Sequence, residues 1–418
     1  MNITEIYKLY CQHYLIDTDT RKIRTNTLYF ALKGENFNGN RFAEEAIKKG
    51  ASYSIVDEKE YVTSSKTILV DNVLNTLQEL ASYHRSVINI PIIGLTGSNG
   101  KTTTKELINT VLSTKYKTTA TLGNLNNHIG VPLTLLSMTP STEIGIVEMG
   151  ANHHKEIEFL SAIAKPDFGY ITNFGKAHLE GFGSIKGVIE AKSELYNYLK
   201  ENKKTVFVNP SDEIQVQKTK KIESVFFDES IVLLESNPLI KVKFENEIIS
   251  TNLIGNYNFS NISAAITIGT YFKVNKEQIK SSLENYTPTN NRSQIITTKN
   301  GNKLILDAYN ANPTSMKAAL GSFSQIKTEN KVVILGDMFE LGTESEKEHQ
   351  LIADYCTELN FKNVLLVGKL FNKVTSDHLK FETFEELKEY IITTKICEHQ
   401  ILIKGSRGMA LERITEFL

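Results

Sequence analysis

The stretch Gly94-Leu95-Thr96-Gly97-Ser98-Asn99-Gly100-Lys101-Thr102-Thr103-Thr104 decides the fold. Before it, the apolar run Ile90 to Leu95, broken by one Pro, predicts a buried strand. After it, Lys105-Glu106-Leu107-Ile108 and Val111-Leu112 predict a helix. Small residues in between let backbone N–H groups converge on phosphate oxygens at a helix N-terminus, where partial positive charge collects. In such a loop Gly97, Ser98, Asn99, Gly100 and Thr103 form the cradle. Lys101 reaches the terminal phosphates of the ligand and the Thr102 hydroxyl ligates Mg²⁺. An ordinary Gly/Ser turn would leave unexplained why Lys-Thr directly follows the last glycine. The common pattern would put its first Gly at position 95, which is Leu; here the glycines fall at 94, 97 and 100.

With 418 residues the chain is long enough for two or three domains, each with its own core. Hydrophobic residues make up 40% and charged residues 23%, the composition of a globular protein and not of a disordered one. A net charge of −1 supplies no global basic field for nucleic acid or an anionic membrane, so neither partner is expected. The three cysteines, Cys11, Cys356 and Cys397, are too scattered for a disulfide or metal signature. No apolar run is long enough to span a bilayer, and the N-terminus lacks a basic segment followed by an apolar one. A cytoplasmic enzyme, as a monomer, is the expectation.

The predicted organisation is α/β in three domains. Residues 1–88 open with a helix and a strand over Thr27–Leu32. Residues 89–288 carry the phosphate loop on a P-loop ATPase-type parallel sheet, with further strands at Ile144–Val147 and Phe168–Ile171 and an antiparallel hairpin near Leu239 to Ile249. A polar linker, Thr287-Pro288-Thr289-Asn290-Asn291, leads into residues 289–418. There strands at 304–306, 332–335, 364–367 and 401–403 alternate with helices at 313–323, 345–358, 384–393 and 408–417. That alternation predicts a Rossmann-like, doubly wound domain.

Ligand-facing groups of open α/β sheets emerge at the carboxyl ends of strands. Glu148 follows Ile144-Gly145-Ile146-Val147 and is either a Mg²⁺ ligand or a solvated carboxylate. His178 lies in Ile171-Thr172-Asn173-Phe174-Gly175-Lys176-Ala177-His178-Leu179-Glu180, also after a strand, whereas His153-His154 reads as surface loop. Over 184–200, Ile185, Val188, Leu195 and Leu199 trace a helical apolar stripe with Lys192 at its centre. Burial would lower the Lys192 pKa and leave a neutral amine able to add CO₂. Alternatively its charge snorkels to water.

The form Thr-Gly-Ser-Asn-Gly-Lys-Thr-Thr resembles the ATP loop of the Mur ligase superfamily, which joins an amino acid or peptide to a carboxylate in building the cell wall. The resemblance implies a metal site using Thr102, Glu148, His178 and a carbamylated Lys192, the last within Glu190-Ala191-Lys192-Ser193-Glu194. Gly255-Asn256-Tyr257-Asn258-Phe259-Ser260-Asn261 resembles the adenine-side motif, so Asn258 and Asn261 are carried over while Tyr257 replaces the usual His. Arg292 and Asp307 resemble positions that contact phosphate and ribose.

Within the superfamily, Asp307-Ala308-Tyr309-Asn310-Ala311-Asn312-Pro313-Thr314 resembles the branch adding D-alanyl-D-alanine to UDP-N-acetylmuramoyl-tripeptide. Gly336-Asp337-Met338-Phe339-Glu340-Leu341-Gly342 and Lys404-Gly405-Ser406-Arg407 resemble it too. The resemblance implies that Tyr309, Asn310 and Asn312 serve the dipeptide. It implies likewise that Thr20 and Arg21, with Leu28–Glu35, frame a UDP site, and that Asn126 and Asn127 lie in the loop meeting the nucleotide-sugar peptide. A folylpolyglutamate synthase shares such chemistry but lacks this N-terminal block. A P-loop switch gives no reason for the Lys192 stripe.

Overall fold

The computed structural model describes residues 1–418. Its middle sheet is entirely parallel. Across it run Glu223–Phe226, Thr205–Val208, Phe168–Ile171, Ile92–Thr96, Ile144–Glu148 and Thr118–Ala120. Strand Ile92–Thr96 is buried at every position, as a strand covered on both faces must be. The chain leaves it for the sheet edge, returns beside it at Ile144–Glu148, and then passes to its other side at Phe168–Ile171. That reversal opens a crevice at the carboxyl ends of these three strands.

Helix Lys101–Leu112 follows the loop. Thr104, Leu107, Ile108 and Val111 recur at spacings of three and four and turn one buried face to helix Phe259–Tyr271. An antiparallel three-stranded sheet, Val232–Glu235, Leu239–Phe244 and Glu247–Ile254, adds to the same core. Its alternating burial over Leu239–Phe244 is that of a half-exposed strand.

The N-terminal sheet is parallel, in the order Ile16–Asp17, Leu28–Phe30, Tyr53–Val56 and Thr67–Leu69. Helix Val73–Ile88 leads from it to the middle sheet and packs on helices Gly130–Leu135 and Glu156–Ala164. The C-terminal sheet runs Gln294–Thr297, Lys303–Asp307, Gln400–Lys404, Lys331–Gly336, Asn363–Val367 and Leu379–Phe381. All its pairings are parallel except the first. Helices Pro313–Ser324, Ser345–Glu358 and Phe384–Thr394 accompany it, as the alternating pattern predicts.

Three local readings need correction. Residues 408–417 are not α-helical: 3₁₀ turns span Arg407–Met409 and Leu411–Phe417, separated by Ala410 in the left-handed region. The short strands Gln294–Thr297 and Leu379–Phe381 escaped the apolar-run reading because both flank the sheet and carry polar residues. Ile185 is 41% exposed and so is not on the buried stripe of its helix, Ile185–Glu201. No helix is long and apolar enough to cross a membrane.

Candidate active site

A cleft of about 570 Å³ opens where the phosphate loop, the ends of the two neighbouring strands and the C-terminal domain meet. The loop's backbone explains its glycines. Gly97 has φ +144° and Gly100 φ +77°, and a Cβ would meet Thr172 Oγ1 at 2.0 Å or Asn261 Oδ1 at 2.8 Å respectively. Asn173, from the next strand's end, braces the loop. Its carbonyl accepts from Ser98 N at 3.1 Å, its Oδ1 accepts from Asn99 N at 3.1 Å, and its Nδ2 donates to Asn99 O at 2.9 Å.

Lys101 is the first residue of its helix and half-buried. Its ammonium turns back to donate to Gly97 O at 2.7 Å and Ser98 O at 3.4 Å. Burial lowers its pKa below the ordinary lysine value, while Glu148 pulls it back up.

Glu148 is 1% exposed and hence not the solvated carboxylate of the alternative reading. Its Oε1 accepts from Thr102 Oγ1 at 3.2 Å and from Asn126 Nδ2 at 2.8 Å. Its Oε2 is buried without a hydrogen-bond partner. A buried carboxylate oxygen left open beside a hydroxyl and a phosphate loop suits Mg²⁺, which takes one or two carboxylates and completes its shell with phosphate oxygens and water. No group of three or more His, Cys, Asp or Glu side chains gathers into a metal centre of its own.

Thr102, Glu148 and His178 line the same cleft, and Lys192 sits beneath it, bonded to the cleft residue Ala151. Thr102 and Glu148 meet at the phosphate loop. His178, at the start of the turn Leu179–Phe182, lines the cleft but brings Nδ1 to 2.5 Å from Glu340 Oε2 of the C-terminal domain, off the line of a hydrogen bond. The His178 ring holds the Glu340 carboxyl below its usual pKa. Lys192 is fully buried and does not snorkel. Its Nζ donates to Ala151 O at 3.1 Å, in the cleft floor, and lies 5.1 Å from the Phe182 ring centre. Loss of hydration, reinforced by Lys101, drops its pKa well below the ordinary lysine value.

Asn258 and Asn261, both 3% exposed, line the cleft and link the loop helix to its neighbour. Asn261 Nδ2 donates to Asn258 Oδ1 at 2.7 Å, and Thr104 Oγ1 donates to Asn261 Oδ1 at 3.0 Å. Tyr257 also faces the cleft, its hydroxyl 2.8 Å from Ser293 Oγ. Arg292 lies 3.6 Å from the Tyr309 ring centre, with Nε buried and unpartnered. Asp307 accepts from Ser293 N at 3.2 Å and from Lys404 Nζ at 2.5 Å.

Asn310 and Asn312 line the cleft with Tyr309, and Asn126 and Asn127 line it from the loop after strand Thr118–Ala120. Thr20 and Arg21 do not line it; Arg21 pairs with Asp19 on the N-terminal domain and is 85% exposed. Sequence reading missed Asn173 as the brace, and also Lys404 and Glu340. The quoted motifs contain the last two, but only the fold shows what they face.

The three domains correspond to three sequence families. "Mur ligase family, catalytic domain" matches residues 13–93, "Mur ligase middle domain" matches 95–269, and "Mur ligase, glutamate ligase domain" matches 291–407. The chain belongs to the Mur ligase family. Among its relatives, a UDP-N-acetylmuramoyl-tripeptide–D-alanyl-D-alanine ligase of Bacillus subtilis is 36% identical, over 96% of this chain and 92% of the relative. The Escherichia coli ligase of the same name is 32% identical, over 96% and 93%. The crystal structure of MurF from Acinetobacter baumannii superposes with a TM-score of 0.85 at 30% identity, covering 96% of this chain and 92% of that one. MurF ligase from Thermotoga maritima, solved with ADP, shares the fold with a TM-score of 0.83 at 24% identity, covering 96% of each chain.

Proposed function

We propose that this Mur ligase family member adds D-alanyl-D-alanine to UDP-N-acetylmuramoyl-tripeptide, forming ADP and phosphate, in peptidoglycan precursor synthesis. The observation that carries this reading is the sequence Asp307–Thr314 lining the same cleft as the phosphate loop, so that the branch-specific motif and the ATP motif share one reaction space. The named ligases of B. subtilis and E. coli match nearly the whole chain, which supports the same substrates here. The reading places the enzyme in the cytoplasm, where ATP is available, acting as a monomer.

ATP binds with its phosphates over Gly97–Thr103, its adenine toward Asn258 and Asn261, and its ribose toward Asp307. Arg292 faces the phosphates. The terminal carboxylate of the tripeptide attacks the γ-phosphorus in line, the β–γ bridging bond breaks, and ADP leaves. Lys101 moves from its loop carbonyls to the developing charge, a matter of position and electrostatics. Mg²⁺, held by Thr102 and Glu148, supplies Lewis-acid stabilisation of phosphoryl oxygens. The dipeptide amine, as free base, then adds to the acyl carbon. The tetrahedral intermediate expels phosphate, and the amine proton passes to solvent or a nearby base.

Lys192, buried with one carbonyl partner and its pKa lowered by burial, adds CO₂ through the lone pair of its free-amine form and releases a proton. The resulting carbamate would be a long carboxylate, able to serve as a metal ligand or to order neighbouring ligands. Thr20 and Arg21 with Leu28–Glu35 hold the UDP, and Asn126 and Asn127 hold the sugar-peptide. Turnover of ATP with both peptide substrates, and none when either is omitted, tests the proposal. Preference for a single amino acid over the dipeptide would move the chain to another branch.

A further inference from the structure

Two loops leave neighbouring strands of the C-terminal sheet at their carboxyl ends: residues 337–342 after Lys331–Gly336, and residues 405–409 after Gln400–Lys404. They are fastened to each other. Ser406 N donates to Asp337 O at 3.1 Å and Phe339 N donates to Ser406 Oγ at 3.0 Å. A Cβ on Gly408 would stand 2.8 Å from the Phe339 ring. The residues immediately after this fastening, Glu340 and Arg407, thus bring opposite charges to the carboxyl ends of neighbouring strands, and no ion pair joins them.

The other charges nearby are already committed. Lys404 is 2% exposed and neutralised by Asp307 at 2.5 Å. Arg292 stacks on Tyr309 and faces the phosphate loop, where its charge is felt by Lys101 and Lys105. Arg407 is exposed. Its guanidinium lies 5.4 Å from the Tyr309 ring centre, and its one polar contact is a long 3.5 Å approach to the Tyr309 hydroxyl. Most of its five donors are therefore free. Glu340 has one oxygen toward His178 and is half exposed. Both Glu340 and His178 hold left-handed backbone, φ +62° and +52°, a conformation that costs free energy in residues other than glycine and concentrates at functional sites.

We infer that Glu340 and Arg407 form a two-charge clamp for the incoming zwitterionic dipeptide, Glu340 taking the ammonium end and Arg407 the carboxylate. This rests on the ligase reading above and adds the residues that recognise the amine substrate. An extended dipeptide spans about 7 Å between its charged ends. Adjacent strands lie about 4.8 Å apart, so side chains from the two loops can reach both ends at once. A single amino acid, with its charges about 3.5 Å apart, can meet only one. Placing the ammonium at Glu340 also brings the nucleophile beside His178 and thus into the reacting cleft.

The test uses the full chain with ATP, Mg²⁺, UDP-N-acetylmuramoyl-tripeptide and two amine substrates, D-Ala-D-Ala and its C-terminal amide. The wild type should use the amide about 100-fold less efficiently, the scale of a lost charge-assisted hydrogen bond to a carboxylate. Arg407→Ala should lose a similar factor on the acid, mainly in KM for the dipeptide, and should no longer distinguish acid from amide. KM for ATP and for the UDP substrate should stay within about 3-fold of wild type. Propionyl-D-alanine, which lacks the ammonium, should inhibit wild type and Glu340→Gln equally, while KM for D-Ala-D-Ala rises about 10-fold or more in Glu340→Gln. The clamp is overturned if Arg407→Ala keeps the wild-type preference for acid over amide, or if Glu340→Gln weakens propionyl-D-alanine as much as the dipeptide. Absence of wild-type turnover with D-Ala-D-Ala overturns the ligase reading and the clamp with it.

Discussion

The side-chain amide of Asn312 donates to Asn99 Oδ1 at 2.7 Å, tying the start of a C-terminal-domain helix to the phosphate loop of the middle domain. Other bonds cross the same gap: Lys176 N donates to Thr314 Oγ1 at 2.9 Å, and Lys176 Nζ meets the buried Glu348 carboxylate at 2.6 Å. These contacts tie the C-terminal domain to the middle domain at the edge of the cleft. Asn312 has a second duty, because its Oδ1 caps helix Pro313–Ser324 by accepting from Ser315 N at 2.9 Å.

The two duties can be separated. Asn312→Ser keeps a good N-cap but cannot span to Asn99. It should lose at most about 1 kcal/mol of stability, from the bond to Asn99, and roughly 10-fold in kcat/KM, the scale of a lost hydrogen bond. Asn312→Ala should lose the same activity and in addition about 1 kcal/mol of stability. Thermal unfolding and steady-state ligation read the two effects. Equal stability of the Ser and Ala variants would remove the capping role, and full activity of the Ser variant would remove the role of the bond to Asn99.

Lys101→Ala should retain its fold, because Ala is a good helix former at the first helical position and the lost contacts are to loop carbonyls. Ligation should fall by at least about 10²-fold, the scale for removing a preorganised charge donor. Circular dichroism checks the fold and ADP release checks the rate. Activity within a few-fold of wild type would take Lys101 out of phosphoryl transfer.

Lys192→Ala should abolish most activity. A short carboxylic acid in the buffer should restore part of it by standing where the carbamate carboxylate would be. Lost packing alone would not respond to added acid. An unimpaired variant, or one that no small acid rescues, would count against the carbamate.

Lys192 also predicts a pH dependence of stability. Its folded pKa is depressed well below 10.5, mainly by burial. Between that folded value and 10.5 the unfolded chain binds a proton that the folded chain does not, so stability rises with pH in this window. In CO₂-free buffer, wild type should gain on Lys192→Met as pH is raised from 8 toward about 10, measured by denaturant midpoints. A constant difference would mean that Lys192 remains charged when folded.

Strands Ile92–Thr96, Ile144–Glu148 and Phe168–Ile171 and the four central strands of the C-terminal sheet were legible as short apolar runs. Most of the N-terminal sheet and the strands Thr118–Ala120, Thr205–Val208 and Glu223–Phe226 were not read. The phosphate loop was legible because Gly97 and Gly100 must hold backbone angles that side chains resist. Lys192 was legible as an interruption in a stripe whose other central members, Val188, Leu195 and Leu199, are fully buried. Glu340 and His178 were not legible as a pair, since 162 positions separate them and only domain closure joins them. Asn173 looks like any loop asparagine until the register of Phe168–Ile171 against Ile92–Thr96 sets it beside the loop. The last 3₁₀ turns misled because Leu411 and Ile414 are buried at a spacing that a helix would also give.

The most direct test of the account follows the oxygen atoms. UDP-N-acetylmuramoyl-tripeptide labelled with ¹⁸O in its terminal carboxylate, mixed with ATP, Mg²⁺ and D-Ala-D-Ala, should yield the pentapeptide product, ADP and inorganic phosphate. Attack of the carboxylate on the γ-phosphorus and later expulsion of that phosphate carry one ¹⁸O into each phosphate, which mass spectrometry reads. One label per phosphate, with no phosphate formed when the tripeptide substrate is omitted, is the predicted result. Unlabelled phosphate, or hydrolysis of ATP without the tripeptide, would contradict a ligase working through an acyl phosphate in this cleft.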